Sequence, residues 1–191
     1  MPDPVAVPDG ALAAQALAGR EAAYGALMAR HREAAYRLAR SHSGDDDAAL
    51  DIVQESFVAA FAALGRYDPA RPFRHWLARI VLNKCRDHAR RRAVRAFFFR
   101  ARPLEEAAGQ VGDGAPSPEE AAAQAQDLRV TLRAVAELPL RLREVLLLRT
   151  VEDLPQAEVA RLLDLSEKTV ETRLYRARRA LAAALERPVR R

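Results

Sequence analysis

Apolar residues return every three or four positions through most of this chain, the interval that lines one face of an α-helix. Between Glu21 and His42, the residues Leu27, Ala34, Ala35 and Leu38 fall on one side. A second stripe runs Leu50, Val53, Phe57, Phe61 and Leu64; a third starts near Phe73 and continues through Leu77, Ile80 and Val81, with Lys84 at its edge. The pattern resumes with Leu128, Leu132, Val135 and Leu138, breaks at Pro139, and returns at Leu142, Val145, Leu146 and Leu148. Val159, Leu162 and Leu163 mark a short helix after Pro155, and Val170, Leu174, Ala177 and Leu181 line a long final one.

The punctuation agrees with this pattern. The run GDDD at 44–47 offers an Asp N-cap and acids where a helix dipole favours them. RYDPARPFR at 66–74 carries two prolines and reads as a stiff loop. Pro155 suits a first helical turn, and Ser166 suits the N-cap of the last helix. Composition adds to the same picture: only 6% of residues are aromatic, there are 8 glycines, and Ala, Leu, Arg and Glu dominate. The expectation is an all-α protein.

At 191 residues, half of them apolar and 30% charged, the chain suits a water-soluble protein of one large or two small domains. Its single cysteine, Cys85, excludes an intramolecular disulfide framework and suits a reducing compartment. No stretch approaches the roughly 18 apolar residues of a membrane span, and no basic residue precedes Arg20 to start a secretory signal. A cytoplasmic location is expected.

Charge divides the chain. The net value is +5, but residues 86–102 hold seven arginines against Asp87 alone. Residues 104–127 hold six acids and no Lys or Arg, and residues 168–191 hold eight basic residues against Glu171 and Glu186. The acidic stretch also contains Gly109, Gly112, Gly114, Pro116 and Pro118, with little to bury. On composition it is a solvated linker. The expected organisation is an N-terminal extension at 1–20, a helical domain at 21–100, an acidic linker at 101–126, a second helical domain at 127–186 and a basic tail at 187–191.

Beside its core stripe the second helix presents Asp51, Gln54 and Glu55, either a solvated surface or a docking face. On the third, Asn83, Asp87, Arg90 and Arg91 form a second stripe whose groups suit phosphates and base edges. Trp76 is expected in the core, and Phe97, Phe98 and Phe99 as a hydrophobic clasp. Cys85 and His88 could touch one metal, but two ligands do not make a site and His75 lies too far back, so no metal and no cofactor are expected. The last two helices, joined by a tight turn, read as a helix-turn-helix whose second member exposes Lys168, Glu171, Thr172, Tyr175, Arg176 and Arg179.

Taken together, ALDIVQESFVAAFAAL, RYDPARPFRHWLARIVLNKCRDHARRR and ELPLRLREVLLLRTVEDLPQAEVARLLDLSEKTVETRLYRARRAL resemble bacterial sigma factors of the extracytoplasmic-function subfamily, which keep only regions 2 and 4. The resemblance implies docking of Asp51, Gln54, Glu55 and Phe57 on the β′ clamp coiled coil of core RNA polymerase. It implies engagement and melting of the promoter −10 element by Tyr67, Arg71, Asn83, Asp87, Arg90 and Arg91, with a base flipped from the stack. It implies reading of the −35 element by Lys168, Thr169, Glu171, Thr172, Arg173, Tyr175 and Arg176, with that domain on the β flap. The acidic linker would thread the RNA channel, and an anti-sigma factor would hold the protein inactive. Asp164 stands where the family commonly has a glycine of positive φ, and Glu171 where a basic residue is frequent.

Two other functional classes fit these residues less well. A helix-turn-helix regulator acting without polymerase is disfavoured because the first domain shows no ligand pocket or phosphoacceptor pattern. A nucleic-acid-processing enzyme would need convergent carboxylates or a nucleophile with its base, and Asp45–Asp47 are explained by capping. No catalytic residue is assigned.

Overall fold

The computed structural model describes residues 7–98 and 118–186. Among these are eight α-helices and no strand. They are α1 (Asp9–Leu17), α2 (Glu21–Ser43), α3 (Asp46–Ala62), α4 (Phe73–Phe98), α5 (Pro118–Glu137), α6 (Leu140–Thr150), α7 (Gln156–Leu163) and α8 (Glu167–Leu185), with a 3-10 turn at Leu64–Arg66.

Local chemistry sets the helix ends. The α2 helix stops at Gly44, whose φ of 73° is the left-handed conformation that glycine adopts without a Cβ penalty. Asp45 then caps α3 by accepting from the Ala48 amide at 2.8 Å. Asp46 accepts from both Tyr36 and Arg40, tying the start of α3 to α2. Ser166 caps α8, accepting from the Thr169 amide at 3.2 Å. The turn before it is closed by Asp164 at φ 56°, so an aspartate occupies the left-handed position. Pro155 sits one residue outside α7 as its N-cap, rather than within the first turn as expected.

The helices α1 to α4 pack into one bundle around Leu27, Leu38, Ile52, Phe57, Phe73, Leu77 and Val81. The α5 to α8 helices form a second around Val135, Val145, Leu148, Val159, Val170 and Ala177. Both sets join in one apolar cluster, because α5 and α6 lie against α2.

The described residues depart from the expectations in three respects. The segment assigned to an N-terminal extension is a helix over Asp9–Leu17 with Leu12, Ala13 and Ala16 buried. Leu50 and Leu128, counted in core stripes, are exposed at 49% and 58%. A three- or four-residue repeat places each on an apolar face but does not say how far the covering neighbour reaches. Among the α5 residues from Gln126 onward, Ala134 and Val135 are the buried ones. Finally, α5 starts at Pro118, inside the stretch read as linker. The rest of that linker, Phe99 and the basic tail lie outside the described residues.

Candidate nucleic-acid interface

Each candidate residue can be followed from its helix. On α3, Asp51 and Gln54 are exposed and Glu55 is half-buried, as an outward face requires. Phe57 is not on that face. It is 2% exposed and packs against Phe61, ring centroids 5.7 Å apart, so it shapes the core and cannot touch a partner directly. Leu50 and Val58 take its place: they are exposed at 49% and 66% and stand one helical turn to either side of Gln54. The four-residue steps 50, 54 and 58 carry that signal, obscured by the overlapping core stripe.

Glu55 is bound rather than free. Arg91 donates from Nη2 to both its oxygens at 3.0 Å, and Lys84 Nζ lies 3.7 Å away. The Arg91 hydrogen bond is the main reason the Glu55 carboxyl is held below its ordinary range. This pair spans an open groove of about 490 Å³ lined by Asp51, Glu55, His88, Arg90, Arg91, Val94 and Arg95. The candidate docking face and the arginine-rich face of α4 are therefore neighbours.

Along α4, Asn83, Asp87, Arg90 and Arg91 are all exposed. Asp87 pairs with Arg90 at 3.6 Å, and Asn83 Oδ1 accepts from Arg86 at 3.0 Å. In the preceding loop Arg71 is exposed, but Tyr67 is buried beneath it. The Tyr67 ring packs on Phe73 and Trp76, at 5.2 and 5.4 Å, and its hydroxyl donates to the Arg71 carbonyl at 2.7 Å. Burial pushes the phenol above its ordinary range. Tyr67 thus holds the loop from below and leaves Arg71 outside. Trp76 is partly buried in the same aromatic cluster.

On α8 the exposed face holds Lys168, Glu171, Tyr175 and Arg176, with Thr172 and Arg173 half-exposed beside them. Lys168 and Glu171 pair at 3.2 Å, and the Arg179 guanidinium stands 5.8 Å from the centroid of the Tyr175 ring. Thr169 differs from its neighbours. Its hydroxyl lies 2.8 Å from Ser166 Oγ and its amide donates to the same atom, which makes it part of the cap.

Other residues hold the two bundles together, and no spacing or motif marks them in the sequence. Arg86 donates from Nε and Nη2 to the two oxygens of Glu144, at 2.5 and 2.8 Å. Arg74 reaches Glu152 Oε2 at 2.7 Å and the Glu152 carbonyl at 3.0 Å. Arg143 donates to the His42 carbonyl at 2.9 Å. Glu144 and Glu152 are 6% and 3% exposed, so each carboxylate is buried against an arginine that itself stays partly exposed. Cys85 lies 2% exposed beside this seam, and burial pushes its thiol up to about 12. Among the described residues no group of three or more His, Cys, Asp or Glu could hold a metal, and no helix is long and apolar enough to cross a membrane.

Residues 27–95 match the family model of Sigma-70 region 2, and residues 128–181 that of Sigma-70 region 4. The chain is 44% identical to the RNA polymerase sigma factor CnrH of Cupriavidus metallidurans, over 93% of this chain and 94% of that one. It is 34% identical to the ECF RNA polymerase sigma factor SigM of Mycobacterium tuberculosis, over 93% of this chain and 84% of that one. The solved structure of CnrH in complex with the cytosolic domain of CnrY superposes with a TM-score of 0.67, at 38% identity over 94% of this chain and 97% of that one. The chain belongs to the extracytoplasmic-function sigma factors, the alternative sigma subunits that direct RNA polymerase to particular promoters.

Proposed function

We propose that the exposed faces of α3, α4 and α8 divide the work of a sigma factor as follows. Asp51 and Gln54, flanked by Leu50 and Val58, dock on the β′ clamp of core polymerase, with Glu55 at the edge of the contact. Phe57 supports this face from the core. Arg71, Asn83, Asp87, Arg90 and Arg91 engage the −10 element, and Tyr67 shapes the loop that presents Arg71. Lys168, Glu171, Thr172, Arg173, Tyr175 and Arg176 meet the −35 element through the major groove, where guanidinium and carboxylate groups distinguish base edges. Thr169 acts by fixing the helix start. The second bundle rests on the β flap, and the acidic linker lies in the RNA channel. The protein performs no reaction of its own and works in the cytoplasm.

The observation that carries this reading is that both arginine-rich helix faces stand exposed while different residues join the two bundles. Elements centred some 25 base pairs apart are about 85 Å apart on B-DNA, at about 3.4 Å per step. Bundles held in contact by Arg86–Glu144 and Arg74–Glu152 do not reach that far, so the bundles part when the protein works. An anti-sigma factor is a further partner of this reading; the relative CnrH has been solved in complex with the cytosolic domain of CnrY.

Size-exclusion chromatography with core RNA polymerase tests the docking part. Wild type is expected to co-elute as an equimolar complex and Asp51→Arg to elute separately while remaining folded. Equal affinities of the two proteins for core would move the docking surface off α3.

A further inference from the structure

The helix α1 has no part in the functions assigned so far, yet its backbone abuts the loop at 66–72. A Cβ placed on Gly10 would lie 3.0 Å from Pro69 Cβ, tighter than ordinary packing. Gly10 does not have a positive φ, so backbone conformation is not what requires a glycine there. In a helix, glycine is among the poorest residues. What Gly10 supplies is close approach.

The start of α1 is also anchored. Asp9 Oδ1 accepts from Arg30 at 2.5 Å and Oδ2 lies 3.0 Å from His31 Nε2, while Arg30 donates to the Val7 carbonyl at 2.8 Å. The His31 ring in turn packs, tilted, against Phe73 with centroids 5.0 Å apart, and Phe73 supports Tyr67. The loop is thus bounded below by aromatic rings and at its side by α1, with Asp68 and Arg71 facing outward.

We propose that α1 is a positioning element for the promoter-reading loop: Gly10 and Asp9 set where Pro69 sits, and so tune discrimination at the −10 element without touching DNA. This rests on the proposal that the loop engages that element. Alanine at position 10 favours the helix but requires Pro69 to yield by a few tenths of an ångström. Stability and sequence discrimination are therefore expected to respond differently to one substitution.

The test uses full-length protein with core RNA polymerase, transcribing barcoded templates randomised at both promoter elements. For Gly10→Ala and Gly10→Val, affinity for core and the preferred −35 sequence are expected to match wild type. Preference at the −10 element is expected to change by about fivefold, scaled down from the roughly hundredfold cost of a 1 Å misplacement at a preorganised site. The melting temperature of Gly10→Ala is expected to equal or exceed that of wild type, so this variant keeps the test valid if the valine protein fails to fold. Asp9→Asn, which loosens the anchor without adding bulk, is expected to alter the same element. Unchanged −10 preference in Gly10→Ala and Asp9→Asn, with wild type discriminating normally, would overturn the role of α1 alone. Wild-type holoenzyme without any −10 preference would overturn the loop assignment, and this proposal with it.

Discussion

Arg86 and Glu144 form a two-point ion pair between α4 and α6, and the same guanidinium also donates to Asn83. One arginine therefore links the seam between the bundles to a residue of the proposed −10 face. The Glu144 side chain is 7% exposed and that of Arg86 36%, so the acid has lost its water and depends on the arginine. Arg86→Ala is expected to cost about 2–3 kcal/mol of stability, somewhat below a fully buried pair because the arginine stays partly hydrated. The double substitution with Glu144→Leu is expected to recover most of that loss. Urea denaturation of the four proteins measures the coupling; strictly additive losses would mean the pair contributes nothing to the seam.

His42 gives the seam a pH dependence. It is 1% exposed, and burial, reinforced by the charges of Arg143 and Arg86, depresses its imidazole to about 3. The unfolded chain takes up this proton near pH 6.5, the folded chain only near 3. Stability is thus fully present above pH 6.5 and is lost as pH falls, by up to about 1.4 kcal/mol per unit across that window. His31, also depressed by burial, adds in the same direction. His42 Nε2 is buried without a hydrogen-bond partner, so His42→Leu is expected to fold at neutral pH with a flatter acid limb. Melting temperatures between pH 7 and pH 4 show the difference in slope.

Gly44 is constrained twice. Its φ is 73°, and a Cβ there would lie 2.9 Å from Ala136 Cβ on α5. Gly44→Ala is expected to destabilise by about 2 kcal/mol, part from the left-handed backbone and part from pushing α5 away. Adding Ala136→Gly should restore the steric part only. Thermal unfolding of the single and double variants separates the two contributions.

Cys85 is expected to be inert in the folded protein. Buried, with its thiol pushed up to about 12, it presents almost no thiolate at pH 8. Labelling by an aromatic disulfide reagent should be slow in buffer, rapid in denaturant, and track unfolding in between. Fast stoichiometric labelling of native protein would show that the seam opens readily.

Phe57→Ala and Leu50→Ala should separate packing from docking. The first removes a ring from the core and is expected to cost about 3–5 kcal/mol. The second alters an exposed side chain and should change stability by less than about 0.5 kcal/mol while weakening the complex with core polymerase. Calorimetry and a core-binding titration on the same two proteins decide it.

By itself the sequence determined the elements and the family. Helical periodicity, an Asp cap at 45, a Ser cap at 166 and a turn aspartate at 164 act within a few residues of chain, where backbone geometry and capping chemistry are local. The alternation of basic and acidic stretches is equally local, and the motifs of the two regions lie in continuous runs of residues.

The tertiary structure decided what covers each face. Phe57 and Leu50 are both apolar positions of α3, and only the placement of neighbouring helices buries the first and exposes the second. Tyr67 turned inward because Phe73 and Trp76 meet it there. The pairing of Arg86 with Glu144 and Arg74 with Glu152, and the contact of Gly10 with Pro69, join residues 58 to 78 positions apart. No spacing rule reaches so far, because burial and ion pairing depend on distance in space, and that distance is fixed only when the helices have packed.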